Sequence, residues 1–530
     1  MVQDMLDIEY FSPHSGSSST TDLLERRPLV IAPLDQPGNN MTEWFCSMHR
    51  EQHQINKRMR FAEDVDTADE TRIDEGGMTH ETSDQQTANV SPQNLLAYFY
   101  HDQYEAAESI GQARLNDIIE LIGVLDVPPN RHNTNEGIVY SNGSGIWEEE
   151  EDLVSTDCTA QNDLHMPRLH VLWYDTSMDL DALNASTAAT TSLSTSAFDY
   201  SISRHFSSLI AHELGISEAA ATALYMTLLS MAERECLHES SCFWTPVSMH
   251  MDDSTLGCAS LNIVLGETTA EASDRFQALL KQVLSHILPH VLSLNVTTDL
   301  LHTLHLPSKR NGQLVPTLLQ LAKGSTLILN ICDMQDGKLS EKQAQTLEAL
   351  KQLTATHKIS YSFDGDIRIP FEADVRIIVL STRSRKKLLP CCLQVECDST
   401  RVTVASEEGD LGRRLEPVRK MLAASRAPLQ NVKGRKKYHN NIDFSTSLLK
   451  RAQQDFIDLR TQARQDPSSK AMPSERDFHR WLTLTRLFAR SRRSETAELP
   501  DWKQALRLDN AMLQTGRQLD VAHPHWEALD

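Results

Sequence analysis

Short apolar runs alternate with amphipathic segments between residues 203 and 440, and this alternation constrains the fold more than any other feature. Residues 261–266, 326–331 and 375–380 are mostly apolar, as strands are when both faces of a sheet are buried. The segments between them carry leucines at steps of three and four residues, the spacing of a helix with one buried face. This alternation predicts an α/β layer built on a largely parallel sheet.

A second pattern, nearer the N-terminus, predicts a different kind of sheet. Residues 95–100, 115–125 and 169–174 have strand composition, and Gly123 interrupts the second run. A glycine inside a strand indicates a bulge or a sharp bend, as small barrels use. Since a long polar and acidic stretch separates the last two runs, we predict a small β-barrel with an insertion, for which an OB-type barrel is one candidate.

The charge balance narrows the classes of function. The 530 residues include 51 Lys and Arg against 73 Asp and Glu, so the formal net charge is −22 at pH 7. Such a surface does not favour non-specific DNA binding, which needs clustered basic residues, and it suits contact with basic protein surfaces. Nine cysteines in a chain of this length predict no disulfide framework and fit a reducing compartment. No apolar run approaches the roughly 20 residues of a membrane helix, so we expect no membrane partner.

The turn after the first apolar strand is where an α/β domain of this kind would bind nucleotide phosphates. A P-loop there reads G-x-x-x-x-G-K-[ST], because its backbone N–H groups surround the phosphates and its Lys neutralises them. This chain keeps Gly266 and Ser273 at the outer positions. Glu271 and Ala272 stand where the second Gly and the Lys belong. The turn therefore predicts a degenerate P-loop that binds no nucleotide cofactor.

The carboxylates that would hold magnesium are missing as well. An acidic residue or pair normally follows the second strand of such a domain, but Asn330 and Ile331 occupy this position. Asp333 is the first carboxylate after the strand. These two separate losses predict that the chain is not an ATPase.

Other catalytic or metal-binding patterns are incomplete. Cys236, His238 and Cys242 lie close together, but structural zinc needs four ligands and no second pair accompanies them. Ser144 lacks the glycines two residues away on either side that a hydrolase nucleophile requires. We therefore predict no enzyme activity, no catalytic residues, no metal site, no cofactor and no small-molecule substrate.

Lys57, Arg58 and Arg60 form a basic cluster at the start of an acidic, polar stretch that we predict to be disordered. An import receptor could reach such a cluster, so one interpretation is a nuclear import signal, and the other is a solvated run of charge. Further basic clusters, interpreted as solvated faces or import signals, lie at 383–387, 433–437 and 486–493. For the first two, contact with nucleic acid is a further interpretation.

Several blocks, in colinear order, resemble the mini-chromosome maintenance (MCM) complex-binding protein family. Residues 115–125 resemble a strand in the OB domain of MCM proteins, and resemble this family's strand more closely. Residues 2–7 are similar to its N-terminal motif, and residues 167–171 to its "PRIHV"-like strand. Further similar blocks lie at 324–339, 359–363, 388–393, 474–487 and 502–505. The family usually has more chain before the first block, so the N-terminal region is expected to be incomplete.

The resemblance implies a non-catalytic nuclear relative of the replicative helicase subunits. It implies binding to MCM complex subunits, indirect contact with chromatin and regulation of DNA replication in the cell cycle. It further implies release of the MCM complex from chromatin in late S phase and support of sister-chromatid cohesion up to mitosis and cell division. In its helicase relatives the acidic pair after the second strand of the α/β domain would fall at Asn330 and Ile331.

Pattern and resemblance together predict an α/β plus β chain, in which an OB-like barrel precedes a degenerate AAA+-like domain and a C-terminal helical lid. The predicted segments are a β-rich region at 1–55, an acidic linker at 56–93, the barrel at 94–178 with an insertion at 127–165, a Ser/Thr-rich linker at 179–202, the AAA+-like domain at 203–440 and the lid at 441–530.

Two alternative functions are left open by the sequence. One is an active AAA+ ATPase, against which the altered P-loop and acidic positions argue. The other is a single-stranded nucleic-acid binder that uses the barrel, with residues 98–100 and Trp173 as stacking aromatics. Arg114 and Arg131 are the only basic residues between 95 and 146, apart from histidines, which argues against a DNA-binding groove.

Overall fold

The structure of the chain is a computed structural model. It describes residues 1–6, 9–11, 24–32, 95–100, 115–126, 167–175, 200–230, 258–266, 269–310, 313–315, 317–363, 367–397, 408–426, 442–465 and 472–517. The chain divides into two compact units. Unit 1 comprises Met1–Leu115, Ile119–Asp175 and Arg310–Leu314, and unit 2 comprises Asn116–Ile118, Thr176–Lys309 and Val315–Asp530. The predicted segment boundaries stay predictions, and the predicted linkers lie almost wholly outside the described residues.

Unit 1 is built on a six-stranded mixed sheet. Its strands are β1 (Val2–Met5), β2 (Glu9–Phe11), β3 (Leu24–Ile31), β4 (Leu95–Tyr100), β5 (Glu120–Asp126) and β6 (Arg168–Asp175). Their order is β1-β3-β4-β6-β5, with β2 paired to β3. Neighbours are antiparallel except β4 and β6, which run parallel. Because β1 and β5 lie at opposite edges, the described strands form an open sheet, and the prediction of a closed barrel is wrong for them.

The core of unit 1 draws side chains from strands far apart in the sequence. Val2, Phe99 and Val171 are completely buried. The buried carboxylate of Asp4 accepts a hydrogen bond from the backbone N–H of Leu314 at 2.7 Å. This bond ties β10 (Gln313–Val315) to the N-terminal strand, since a buried carboxylate needs such donors.

A bulge is present next to Gly123, as predicted, and its extra residue is Leu172 on β6. The pairing of β5 with β6 shifts register between Ile122 and Gly123. A Cβ built on Gly123 would lie 2.3 Å from the carbonyl oxygen of His170, closer than any real contact. Glycine is required here because the two backbones approach too closely for a side chain.

Unit 2 contains a five-stranded sheet in which every neighbouring pair is parallel. Its strands are β7 (Leu261–Leu265), β8 (Val291–Asn295), β11 (Thr326–Asn330), β14 (Arg376–Thr382) and β15 (Leu393–Cys397). They are arranged in the order β15-β7-β14-β11-β8. The mixed α/β class and its parallel sheet are thereby confirmed.

Among the described helices of unit 2, two precede this sheet along the chain, three lie between its strands and four follow it. They are α1 (Tyr200–Leu214), α2 (Glu218–Leu229), α3 (Ala270–Ile287), α4 (Thr298–Thr303), α5 (Glu341–Thr356), α6 (Glu408–Arg426), α7 (Thr446–Gln465), α8 (Glu475–Ser491) and α9 (Leu499–Arg517). Ser217 caps α2 by accepting the N–H of Ala220, and Ser340 forms a capping box with Gln343 at the start of α5. Among the described helices, none combines the length and the hydropathy of a membrane-spanning segment.

Smaller strands lie mainly in unit 2, with Arg310 belonging to unit 1. β9 (Ser308–Arg310), β12 (Lys358–Phe363) and β13 (Ile367–Glu372) lie side by side, with β12 and β13 antiparallel. β16 (Asp443–Phe444) pairs in parallel with β17 (Thr496–Ala497).

The C-terminal helices pack on the parallel sheet. Leu484, Leu487 and Phe488 of α8 and Ala505 and Leu508 of α9 belong to the same buried cluster as the central strands. A second cluster joins α7, α8 and α9 around two tryptophans. The helices therefore belong to the core of unit 2, and their role as a lid stays a prediction.

Candidate functional site at the carboxyl edge of the parallel sheet

The carboxyl ends of parallel strands form the edge at which open α/β sheets bind their ligands. Gly266 directly follows β7, and Ser273 lies in the first turn of α3. Asn330 is the last residue of β11, and Ile331 follows it. β14 lies between β7 and β11, so the positions predicted to be a degenerate P-loop and a degenerate acidic pair meet at one edge of one sheet.

The turn after β7 does not require the backbone conformations that only glycine adopts readily. Among the described glycines, Gly215 and Gly324 are the ones with a positive φ, and Gly266 is not. A Cβ built on Gly266 would find no atom within 4 Å. The following residues, Glu267 and Thr268, lie outside the described residues. Gly266 therefore shows neither the left-handed backbone nor the close approach that makes glycine necessary in a phosphate-binding loop.

The polar side chains in the first turn of α3 make hydrogen bonds and ion pairs with other groups of the protein. The hydroxyl of Ser273 is completely buried and donates to the carbonyl oxygen of Ala270 at 2.9 Å. The same hydroxyl lies 3.4 Å from Oδ2 of Asp333. Glu271 is exposed and pairs with Arg275 at 3.7 Å, and the side chain of Ala272 carries no charge. A phosphate at this turn would meet the fixed negative charge of Glu271 and no lysine.

The end of β11 is occupied by an amide whose hydrogen bonds are already made. Nδ2 of Asn330 donates to Oε1 of Gln277 at 2.7 Å and lies 3.5 Å from Oδ1 of Asp274. Its Oδ1 accepts the backbone N–H of Cys332 at 3.0 Å. Asn330 is buried, and Ile331 beside it is apolar and completely buried. The two positions therefore supply no carboxylate to hold a divalent cation.

Arg385 follows β14 and contacts the residues just after β11 at the same edge of the sheet. Its guanidinium donates to the carbonyl oxygen of Cys332 and lies 3.5 Å from Oδ1 of Asp336. Burial, followed by the negative charge of Asp333, raises the pKa of the Cys332 thiol to about 12. Cys332 is therefore a neutral core thiol and not a nucleophile.

Sequence reasoning placed Arg385 in a general basic cluster and missed its position at this edge. The signal was available, because the cluster at 383–387 begins three residues after the third predicted strand ends at Leu380. Two other members of the cluster pair with Glu396, Arg383 at 3.5 Å and Lys386 at 3.2 Å. This part of the basic run is engaged with acidic side chains of the protein.

Several predicted sites lie outside the described residues. They include the import signal at Lys57, Arg58 and Arg60 and the basic cluster at 433–437. The rejected zinc ligands around Cys236 and the rejected nucleophile Ser144 lie outside them as well. Within the ranges that the structure describes, no group of three His, Cys, Asp or Glu side chains could hold a metal ion.

The aromatic residues considered as a base-stacking surface are mostly buried. Tyr98 and Phe99 belong to the core of unit 1, and Tyr100 is half-buried and hydrogen-bonded through its hydroxyl to His170. Arg26 covers the ring of Tyr98 with its guanidinium 4.0 Å from the ring centre. Trp173 alone among the four is well exposed. A single exposed ring does not make the row of stacking platforms that single strands bind.

Comparison with known proteins decides the family. A family model described as "Mini-chromosome maintenance replisome factor" matches residues 12–515. The chain belongs to this family. The match covers nearly the whole chain, which confirms the resemblance seen in the sequence blocks.

Several individual proteins are similar to this chain along much of its length, at low sequence identity. Three of them, each named "Mini-chromosome maintenance complex-binding protein", come from Arabidopsis thaliana, Danio rerio and Homo sapiens. The Arabidopsis protein is 23% identical over 96% of this chain and 85% of its own length. The zebrafish and human proteins are 24% and 22% identical over 76% and 75% of this chain. The chain spans 60% and 58% of the length of those two relatives.

Proposed function

We propose that this protein binds subunits of the MCM complex and regulates DNA replication without catalysing a reaction. The observation that carries the proposal is the family match over residues 12–515, joined by relatives named MCM complex-binding protein over as much as 96% of the chain. The net charge of −22 supports a protein partner with basic surfaces over bare DNA.

Unit 2 is, in this proposal, a degenerate AAA+-like domain. The support is positional, because β7 lies inside the parallel sheet and its turn opens at the edge where such sheets bind ligands. At that edge Ser273 is bonded to Ala270, and Asn330 to Gln277 and Cys332. Polar groups that already satisfy one another offer little to a nucleotide and its magnesium ion.

Unit 1 is, in the same proposal, an OB-like region in an open form. OB folds are partly open five-stranded barrels, and the bulge at Gly123 is a device that such folds use for bending. A protein with OB-like and AAA+-like parts and no phosphate machinery would take the place of an MCM subunit and leave one nucleotide interface unfinished. By this route it would promote release of the MCM complex from chromatin in late S phase and support sister-chromatid cohesion. Its contact with chromatin is then indirect.

The proposed location is the nucleus, with Lys57, Arg58 and Arg60 as the import signal. Changing all three to Ala in a fluorescent fusion should move the signal towards the cytoplasm. A fusion with the cluster at 433–437 changed is the matched control. If the control moves and the triple variant does not, the import signal lies in the second cluster.

Affinity purification from dividing cells tests the proposed partner. The tagged full chain should enrich MCM subunits over the tag alone, as measured by mass spectrometry of nuclease-treated extracts. Nuclease treatment removes proteins that are bridged by DNA. If no MCM subunit exceeds the tag control, the proposal is wrong.

Two binding measurements separate the proposal from its alternatives. Equilibrium dialysis with labelled ATP and magnesium should give no saturable binding in the micromolar range, and saturable binding would favour an ATPase. Fluorescence anisotropy with a labelled single-stranded oligonucleotide should give no salt-sensitive binding at moderate ionic strength. Tight salt-sensitive binding that Trp173→Ala removes would favour a nucleic-acid binder.

A further inference from the structure

The β5–β6 pair of unit 1 carries an exposed apolar surface, here named the apolar ribbon. Its members are Ile122, Val124, Leu125, Leu172 and Trp173, which are 57%, 58%, 56%, 67% and 48% exposed. Large apolar side chains exposed elsewhere in the described residues are scattered singly, as at Ile367, Leu449, Ile457, Met472, Leu499 and Leu513. A contiguous exposed apolar patch marks an interaction site, whereas single exposed side chains are ordinary.

The strand register places Ile122, Val124 and Trp173 on one face of this pair and Leu125 on the other. Gly123 lies opposite Val171, whose side chain is completely buried, so this face belongs to the core. Ile122 lies opposite Trp173, and opposite residues share a face, so these two side chains project together on the other side. An antiparallel sheet with one solvated face normally alternates apolar and polar residues, and the ribbon departs from that pattern.

The bulge enlarges the exposed surface. Pairing passes from Ile122 with Trp173 to Gly123 with Val171, which leaves Leu172 without an opposite residue. Leu172 is the most exposed member of the ribbon. Bulges re-aim side chains in this way and are frequent at functional edges.

β5 is also an edge strand. Among the described residues its partner in the sheet is β6 alone, and it ends the strand order. Edge strands present backbone N–H and C=O groups to which an extended segment of another protein can add as a strand. An exposed apolar edge is prone to aggregation unless a partner covers it. The ribbon thus combines apolar side chains with an edge suited to strand addition.

Charge at the two ends of β5 indicates which partner fits. Glu120 and Asp126 are both exposed and lie three residues on either side of Gly123. If a second copy paired antiparallel about Gly123, Glu120 would face Asp126 of that copy. Pairing in parallel and in register would set each acid against itself. Like charges opposite each other destabilise a sheet, so a second copy is disfavoured and a segment with basic ends is favoured.

We propose that the apolar ribbon docks an extended apolar segment of an MCM subunit that carries Lys or Arg at its ends. This inference rests on the proposed MCM binding and assigns it a surface. The occupant adds to the β5 edge and covers Ile122, Val124, Leu172 and Trp173. It sets its basic residues against Glu120 and Asp126. The acidic excess of the whole chain favours the same kind of partner at longer range.

Binding of the full chain to purified MCM complex, measured by biolayer interferometry, tests the assignment. Leu172→Asp and Val124→Asp should each weaken binding at least tenfold, because each places a carboxylate in the apolar contact. Ile367→Asp is the matched control, because Ile367 is 58% exposed and lies on a strand of unit 2. It should bind like the parent chain. Thermal unfolding of each variant should match the parent, since all three side chains are exposed.

A charge variant tests whether basic residues of the partner lie against Glu120 and Asp126. Glu120→Lys combined with Asp126→Lys should weaken binding severalfold, and the remaining binding should depend less on salt than that of the parent. If the parent binds MCM complex and the ribbon variants bind equally well, the ribbon assignment is wrong while the proposed function stands. If the parent chain itself does not bind, both fail. If light scattering shows a parent dimer that Leu172→Asp converts to a monomer, the occupant is a second copy and the assignment is overturned.

Discussion

The side-chain amide of Asn330 donates a hydrogen bond to Oε1 of Gln277 at 2.7 Å, and both residues are buried. Gln277 lies on α3, the helix after the first parallel strand, and Asn330 ends β11. The orientation of the Asn330 amide is fixed, because its Oδ1 accepts the backbone N–H of Cys332 and its Nδ2 therefore faces Gln277. An ATPase would carry a magnesium-binding carboxylate at position 330. In this protein the side chain at that position must donate a hydrogen bond to Gln277.

Asn330→Asp should destabilise unit 2. A carboxylate cannot donate to Gln277, and it would lie beside Asp274, which is 3.5 Å from the present amide nitrogen. A buried acceptor left without a donor costs about 1–3 kcal/mol, and the added charge increases the loss. Because burial would raise the pKa of the new carboxyl, the loss should be smaller at pH 4 than at pH 7. Denaturant titration at both pH values measures this.

Asn295→Asp is the matched control for that experiment. Asn295 donates to the same Asp274, at 3.3 Å, but it is exposed. Water screens a charge at this position, so the loss should be well under half of that for Asn330→Asp. Equal losses would mean that the network around Asn330 contributes nothing specific.

Substitution by alanine should cost little stability at Gly266 and much more at Gly123. Gly266→Ala should change the free energy of unfolding by less than about 1 kcal/mol, because the added methyl group meets nothing within 4 Å. Gly123→Ala should lower it by more than about 2 kcal/mol, because the methyl group would lie 2.3 Å from the His170 carbonyl oxygen. Chemical denaturation of both variants checks the pair. A large loss at Gly266 would show that the turn after β7 needs glycine after all.

Trp481 on α8 should contribute through both packing and a hydrogen bond. It is 5% exposed, and its Nε1 donates to Oδ2 of Asp509 on α9 at 2.7 Å. Trp481→Ala should cost about 3–5 kcal/mol, and Trp481→Phe, which keeps a ring but leaves an Asp509 oxygen without that donor, about 1–3 kcal/mol. Both values come from denaturant titration. A cost below about 1 kcal/mol for the alanine variant would contradict the packing of the C-terminal helices.

The parallel sheet was predictable because its inner strands are apolar on both faces, a signal that needs no knowledge of partners. β7, β11 and β14 coincide with the predicted runs to within two residues. The outer strands β8 and β15 were missed because they mix apolar with polar residues, as edge strands do. The barrel was predicted wrongly because closure depends on pairing between strands that are far apart in the chain, and strand composition does not encode that pairing.

The strand ends that carry the candidate site were predictable from the sequence, but the hydrogen bonds made there were not. The strand and turn pattern alone placed Gly266 and Ser273 after the first predicted strand and Asn330 at the end of the second. Gln277, Asp274 and Arg385 complete the network from other elements. Such contacts arise from tertiary packing, so a motif search that ended at the altered P-loop could not find them.

The buried imidazole of His357 should make unit 2 sensitive to mild acid. His357 ends α5 with a left-handed backbone, φ 54°, and burial lowers its pKa from 6.5 to about 4, against the opposing charge of Asp374. The folded chain therefore holds the imidazole neutral, while the unfolded chain takes up a proton once the pH falls below 6.5. Stability from this group is complete above pH 6.5 and is lost as the pH falls towards 4, by about 3 kcal/mol in all.

His357→Asn isolates this effect, because asparagine tolerates the left-handed backbone and does not titrate. The difference in unfolding free energy between parent and variant, measured by urea titration at pH 7 and pH 4.5, is the test quantity. Carboxylates titrate in both proteins and cancel in that difference. The parent should lose about 2 kcal/mol more than the variant over this interval. Parallel losses in the two proteins would mean that the imidazole is protonated in the folded state and is not held neutral by burial.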